Sequence, residues 1–352
     1  MKDEASRVEV AEEPRDAKPP GKEAAARSAK RRGLVPWIVY LVSFVLMPVV
    51  FSDPYYHNVA VLICITALMA TGWNLLGGVA GQISLGHAMF FGLGAYTTAL
   101  AQMRLGINPW VGMVMGAAIA VVVSVVVGAP VLRLRGHYFS IATIAVAEIA
   151  FLLFLNWQFA GGARGLSIPL KEDSFLDLQF SGQQKWEYYY LAAALLSLAL
   201  LATHLLLRSR TGYYLVAIRE DQEAAASVGV PVARYKQVAL AFSAAVVAVA
   251  GGFYAQYVLF VDPESVLALT ISIQITIAAI LGGVRSMWGP VIGATVLLVI
   301  TETTRLYFAG GGDALNLVIY GLLVMLIAAF EPNGLIGLGG RVRRLTGRGG
   351  SA

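Results

Sequence analysis

Ser84 and His87 are the side chains whose types and spacing come nearest to reactive chemistry in this 352-residue sequence. A hydroxyl and an imidazole three residues apart share one face of a helix, as a nucleophile and its base would for acyl transfer. No third residue nearby is placed to orient the imidazole, so the pair is no triad and carries no catalytic reading. The four histidines, His57, His87, His137 and His204, are dispersed and form no H-E-x-x-H pattern. The single cysteine, Cys64, lies within an apolar run. Neither set supplies a metal centre or a disulfide framework. Glu148 and Glu302 stand alone inside apolar runs, where a carboxylate is costly unless protonated or paired, so each is a candidate for a pathway or gate. The plainer alternatives are a packing hydrogen bond for Glu148 and pairing with Arg305 for Glu302. Gln274 and Thr276 read either as a polar lining or as interhelical hydrogen bonds, and Trp73 and Asn74 as pathway groups or helix-end anchors.

The elements that position these residues follow from composition. The chain is 58% hydrophobic and 13% charged, against about a quarter charged in soluble domains, and its mean hydropathy is +0.70. Successive apolar runs with short polar breaks, without the alternating polarity of a membrane barrel, predict an all-α polytopic membrane protein. The expected spans are 34–51, 58–76, 83–101, 109–131, 138–157, 188–207, 237–258, 267–281, 288–308 and 315–330, about ten transmembrane helices. The eighth and tenth fall short of the ~20 residues of a full crossing, so either could be broken or re-entrant. Residues 1–33 mix acids, bases, Ala and Pro with few large apolar side chains and read as a disordered cytoplasmic tail, residues 34–331 as the membrane domain, and residues 332–352 as a basic cytoplasmic tail. With both termini cytoplasmic, the inner loops hold Arg133 and Arg135, then Arg208, Arg210, Arg219, Arg234 and Lys236, then Arg285. The outer loops hold Asp53, Arg104, Asp262, Glu264 and Asp313. This asymmetry is that of a positive-inside membrane protein. The net charge of +5 is spread over such flanks, which excludes a nucleic-acid-binding face.

Two segments stand out. Between the sixth and seventh spans, the loop 208–236 contains Arg219-Glu220-Asp221-Gln222-Glu223-Ala224-Ala225-Ala226-Ser227-Val228-Gly229. Its Glu and Ala favour helix and Gly229 followed by Pro231 stops it, predicting a short helix on the cytoplasmic face. The other segment, 77–96, carries Gln82, Ser84 and His87 among Gly86, Gly92 and Gly94, which suits close helix approach and a pathway or hinge. Leu76-Gly77-Gly78-Val79 is echoed by Leu281-Gly282-Gly283-Val284, each closing a span that ends inside, as Gly-interrupted repeats do in transporters.

The pattern E-A-A-x-x-x-G at 223–229 resembles the coupling motif of ATP-binding-cassette importer permeases. Residues 81–96 resemble the G-Q-[IL]-S-[LF]-G-H signature of branched-chain amino-acid permeases, the LivM/LivH family. Residues 135–143 resemble R-G-x-Y-F-A-[IM]-[AV]-T, and residues 161–166 resemble T-G-G-x-x-G-L with Ala160 in place of Thr. Residues 281–290 resemble L-G-G-x-G-[ST]-x-x-G-P, with Arg285 where Gly is usual. The resemblance covers nearly all of 34–330 and is nearer the M-type subunit.

That resemblance implies an importer permease of the bacterial inner membrane, passing branched-chain or related hydrophobic amino acids inward, with no activity as an enzyme. Its implied partners are an H-type permease, two ATP-binding subunits and an extracytoplasmic solute-binding protein. No G-x-x-x-x-G-K-[ST] phosphate loop occurs in the chain, so the chain needs no cofactor of its own and ATP would be bound by the partners. Arg219, Glu220, Asp221, Glu223, Ala224, Ala225 and Gly229 are the expected coupling residues. Gln82, Ser84, Gly86, His87, Glu148, Gln274, Thr276, Gly282, Gly283 and Glu302 are the expected pathway or hinge residues, with no metal ligand among them. A urea-importer permease and a stand-alone secondary carrier are the alternative readings.

Overall fold

A computed structural model describes residues 53–307 other than 172, 181–184 and 285, without the side chains of 305–307. It also describes Trp37, Tyr40, Val42, Met47, Val318, Gly321, Leu322 and residues 334–336. The predicted spans at 34–51 and 315–330 and nearly all of both tails lie outside the described residues. The chain divides into two compact units, Met1–Val49 and Val50–Ala352, and all the helices numbered below belong to the second.

Helix α1 runs Pro54–Asn74 and passes into a π-turn at Leu75–Val79. Asp53 caps its start by accepting from Tyr55 N at 2.8 Å, with Pro54 in the first turn where its missing N–H costs nothing. Helix α2 covers His87–Leu105, α3 Pro109–Val131 and α4 His137–Asn156. Helix α5 is Trp186–Arg208, followed by the short α6, Arg210–Glu220, and α7, Gln222–Ser227. Helix α8 is Val232–Val258, α9 Pro263–Leu267, α10 Leu269–Gly282 and α11 Gly289–Tyr307. A two-residue strand after α4, β1 at Leu166–Ser167, pairs antiparallel with β2, Phe260–Val261, just past α8.

Among the described residues six helical stretches are long and apolar enough to cross a membrane: Pro54–Val79, Pro109–Val131, His137–Asn156, Trp186–Arg208, Val232–Val258 and Pro263–Gly282. Each matches a predicted span, and two more predicted spans appear as α2 and α11. The eighth span is broken at Ala268, between α9 and α10.

Three boundaries differ from expectation. Residues 83–86 are not helical, because their backbone groups bond to side chains of other helices, as described below. Helix α8 begins at Val232 rather than 237, drawing Lys236 inside, where its Nζ donates to Gln222 Oε1 at 2.7 Å. The segment 208–236 holds two helices where one was expected, since α6 precedes the short helix α7.

Helices α2, α3 and α8 pack against one another, and α1 packs against α5, α8, α10 and α11. Glycine makes these approaches possible. A Cβ at Gly94 would overlap the carbonyl of Ala248, one at Gly251 would overlap that of Phe91, and one at Gly293 that of Ala278. Backbone-on-backbone contact is the packing available to helices in lipid, where burying apolar side chains gains little.

Candidate functional site

Segment 80–88 comprises the irregular residues 80–86 and the first two residues of α2, and its polar backbone is satisfied by side chains of three other helices, α1, α4 and α10. Trp73 Nε1 donates to Ser84 O at 2.6 Å, and Ser140 Oγ donates to Ile83 O at 2.6 Å. Leu85 N donates to Thr143 Oγ1 at 3.0 Å, and Ala88 N donates to Ser272 Oγ at 2.8 Å. Non-helical backbone at membrane depth requires such partners, because hydrocarbon offers none. His87, fully buried, bridges helices: Nδ1 lies 3.1 Å from Ser84 Oγ and Nε2 lies 2.7 Å from Ser243 Oγ on α8. Ser84 therefore meets His87, though from the irregular segment before α2 rather than on one helix face as expected, and the pair is engaged in joining α2 to α8.

Ser84, Gly86 and His87 thus form one cluster with Thr143, Ser243 and Ser272. A Cβ at Gly86 would press on Thr143 O. Thr276 stands one turn beyond Ser272 and donates to its carbonyl at 2.7 Å. Gln82 lies at the rim, its Nε2 3.5 Å from Ala80 O. The remaining pathway candidates are elsewhere. Glu302 accepts from Tyr55 Oη at 3.2 Å, joining α11 to the start of α1, and the side chain of Arg305 is outside the described set. Gln274 is half-buried on α10, and Glu148 is exposed on α4.

Gly282 and Gly283 belong to a second junction. Asn74 Nδ2 donates to Ser286 O at 3.1 Å, and a Cβ at Gly78 would collide with Val284 O, so the two echoing L-G-G-V segments lie against each other. Gly282 faces Gly289 with no room for a side chain, and Gly283 has φ +118°, a conformation that favours glycine.

The segment 219–229 is wired into this junction. Arg219 Nη1 donates to Gly78 O at 3.0 Å and Nη2 to Glu220 Oε1 at 2.6 Å. Its stem crosses Gly81, whose Cβ would stand 2.6 Å from Arg219 Cγ. Asp221 caps α7 by accepting from Glu223 N at 2.8 Å and Ala224 N at 3.0 Å. At the other end Gly229 (φ +87°) donates to Ala226 O and Val230 N to Ala225 O, the paired bonds of a Schellman stop. Glu223 pairs with Arg135 at 2.7 Å. The acids expected to meet an external partner thus have contacts within the chain: Asp221 holds its own helix, Glu220 takes Arg219 and Glu223 takes Arg135. Ala225 is buried, whereas Ala224, Ala226 and Val228 are exposed, Val228 by 80%.

Thr143, Ser243 and Ser272 were not singled out by the sequence, nor was the buried amide pair Gln102–Gln256, in which Gln256 Nε2 donates to Gln102 Oε1 at 2.7 Å. Hydroxyls in apolar helices usually bond their own preceding turn, so their sequence signal is weak. The two glutamines are polar enough to have been noticed. Among the described residues no group of three or more His, Cys, Asp or Glu side chains could hold a metal ion.

The family described as "Branched-chain amino acid transport system / permease component" matches residues 55–328. The "High-affinity branched-chain amino acid transport system permease protein LivM" of Escherichia coli K12 is 30% identical over 300 residues, covering 79% of this chain and 69% of that protein. The "Probable branched-chain amino acid transport permease protein LivM" of Methanocaldococcus jannaschii is 23% identical, covering 74% and 81%. The E. coli K12 LivH permease is 24% identical, covering 77% and 91%. No solved structure matches. With its membrane-length helices, the chain is a multi-pass protein of the bacterial inner membrane, and it belongs to the branched-chain amino acid transport permease family, on the LivM-type side.

Proposed function

We propose that this chain is the membrane-spanning subunit of an ATP-binding-cassette importer that passes branched-chain amino acids into the cytoplasm, and that α7 receives the stroke of a separate ATPase. The observation that carries this reading is the contact of Arg219 with Gly78. It ties the last turn of α6, directly before the short helix α7 that is capped at both ends and exposed along Ala224, Ala226 and Val228, to the π-turn that leads into the irregular residues before His87. A rigid capped helix transmits displacement; a flexible loop would absorb it. The end of the bundle that gathers Arg133, Arg135, Arg219 and Arg234 is then cytoplasmic, with both termini on that side. An H-type permease, two ATP-binding subunits and an extracytoplasmic binding protein complete the assembly, ATP being bound and hydrolysed by the partners.

Alternating access gives the central cluster its role. Beside Ser84, Gly86 and Thr143 the cavity holds about 20 Å³, room for about one water and far less than an amino acid. Passage of a solute there requires segment 80–88 to separate from α4, α8 or α10, and Arg219 is the link through which α7 can pull it.

Reversing charge on α7 with Glu223→Lys should abolish leucine uptake and ATPase co-purification. Membrane insertion and thermal stability should stay unchanged, since the Arg135–Glu223 pair is solvent-exposed and such pairs contribute about 0–1 kcal/mol. Normal uptake by that variant sinks the coupling role. Competition of labelled leucine uptake by urea tests the solute, and inhibition by urea as strong as by valine would overturn it. Gly229→Val should cost about 1–2 kcal/mol, because φ +87° is a left-handed backbone, with no steric clash since nothing lies within 4 Å of its Cβ position. Uptake should fall more than stability, as the stop that fixes the length of α7 is lost.

A further inference from the structure

Three long helices turn much of their surface away from the bundle, and one of them differs chemically. The exposed face of α3 is aliphatic from Val114 through Val126, and that of α5 carries Leu198, Leu201 and Leu205. Both suit acyl chains. The exposed face of α4 runs through Ile141, Ala145, Glu148 and Leu152, so a carboxyl group stands on the outer surface of a 20-residue span. Glu148 is the twelfth residue of α4, about 16 Å from its start and near mid-depth of the ~30 Å hydrocarbon layer. A carboxyl group at that depth faces protein or water rather than lipid. One turn away Ala145 is small enough for a second helix to approach closely. Toward the other end the same face is concave, a groove of about 670 Å³ lined by Ile149, Leu152, Leu153, Phe154, Asn156 and Trp157.

We infer that this face of α4 is the seat of a second, non-identical permease subunit, which places a hydrogen-bond donor opposite Glu148 and an apolar side chain in the groove at 149–157. An identical copy related by a two-fold axis along this helix would set two carboxyl groups against each other at mid-depth, where like charges oppose. A partner with a hydroxyl, amide or basic group there removes the conflict. This inference rests on the importer reading, which calls for two permeases, and adds which face joins them and which residue selects the partner.

The test is photo-crosslinking in native membranes of the full complex, with benzoylphenylalanine in place of Leu152 and, as a control, in place of Val122 on α3. The Leu152 probe should give an adduct with a second permease polypeptide, identified by mass spectrometry, and the Val122 probe adducts with lipid. Glu148→Leu should lower the Leu152 adduct about tenfold, as losing one interhelical polar contact implies, while Glu148→Gln, which keeps an acceptor, should retain most of it. The stability of the isolated chain should be unchanged by Glu148→Leu. Adducts from Leu152 to lipid, to an identical copy or to residues 34–51 or 315–330 of the same chain would overturn the inference, as would insensitivity to Glu148→Leu. The crosslink is read without ATP or transport, so an intact adduct in a complex that takes up no amino acid would count against the importer reading alone.

Discussion

Gly251→Val should be among the most damaging single substitutions in the chain. The new Cβ would fall on the carbonyl of Phe91, with Ala95 N 3.1 Å away, so the obstacle is backbone and no side-chain rotation relieves it. Helices α2 and α8 would have to separate, and the cost of overpacking, about 3 kcal/mol, is compounded by the reciprocal contact at Gly94. The bond between His87 and Ser243 joins the same pair of helices and would stretch with them. The expected result is a much lower melting temperature in detergent and poor recovery of folded protein. Phe91→Ala should not rescue it, because the clash is with a peptide oxygen. Gly106→Ala is the contrasting control: φ is +64° but nothing lies within 4 Å, so the loss should be about 1 kcal/mol, from backbone conformation alone. Equal melting temperatures for the two variants would show that α2 and α8 are not held by that close approach.

Arg219→Met should separate ATP hydrolysis from transport. The guanidinium is mostly buried and donates to both Gly78 O and Glu220, and methionine keeps the apolar stem over Gly81 while removing both donors. Losing a charged hydrogen bond to a part-buried carbonyl costs about 1.5–3 kcal/mol. Drawn from the coupling between α7 and the π-turn, that is a fall in uptake of about tenfold to a hundredfold. The assembled complex should still hydrolyse ATP, because the exposed surface of α7 is untouched. Lysine should restore little, since it presents a point charge rather than a fork able to reach both acceptors. If hydrolysis and uptake fall together in Arg219→Met, the residue serves assembly and not transmission.

Much of this arrangement could be read from residue order. Asn108 before Pro109 marks the start of α3, which covers the expected 109–131. Gly229 stops α7 as its sequence predicted, while Asp221, expected among the coupling residues, caps its start. The repeated L-G-G-V segments proved to be spatial neighbours through Asn74, Gly78 and Ser286. What stayed hidden depends on long-range partners. Ile83-Ser84-Leu85-Gly86 has the composition of a helix start, and its irregular backbone is satisfied by Trp73, Ser140 and Thr143 from outside the segment. The early start of α8 escaped for a related reason: Arg234 and Lys236 look like loop residues until Gln222 takes the Lys236 ammonium inside. Glu148 was recognised as costly in lipid, but which way it faces depends on how α4 packs, and no local pattern records that.

The irregular segment also sets an order of assembly. Leu85 N depends on a threonine 58 residues later, and Ala88 N on a serine 184 residues later. While the chain is being made, residues 80–88 reach the bilayer before either partner exists, and unpaired peptide groups do not settle in hydrocarbon. The first two described helices therefore cannot reach their final arrangement as a finished hairpin. Residues 80–88 must wait at an interface or in a protected channel until α4 and then α10 arrive, so the centre of the bundle closes only once α10 is in place.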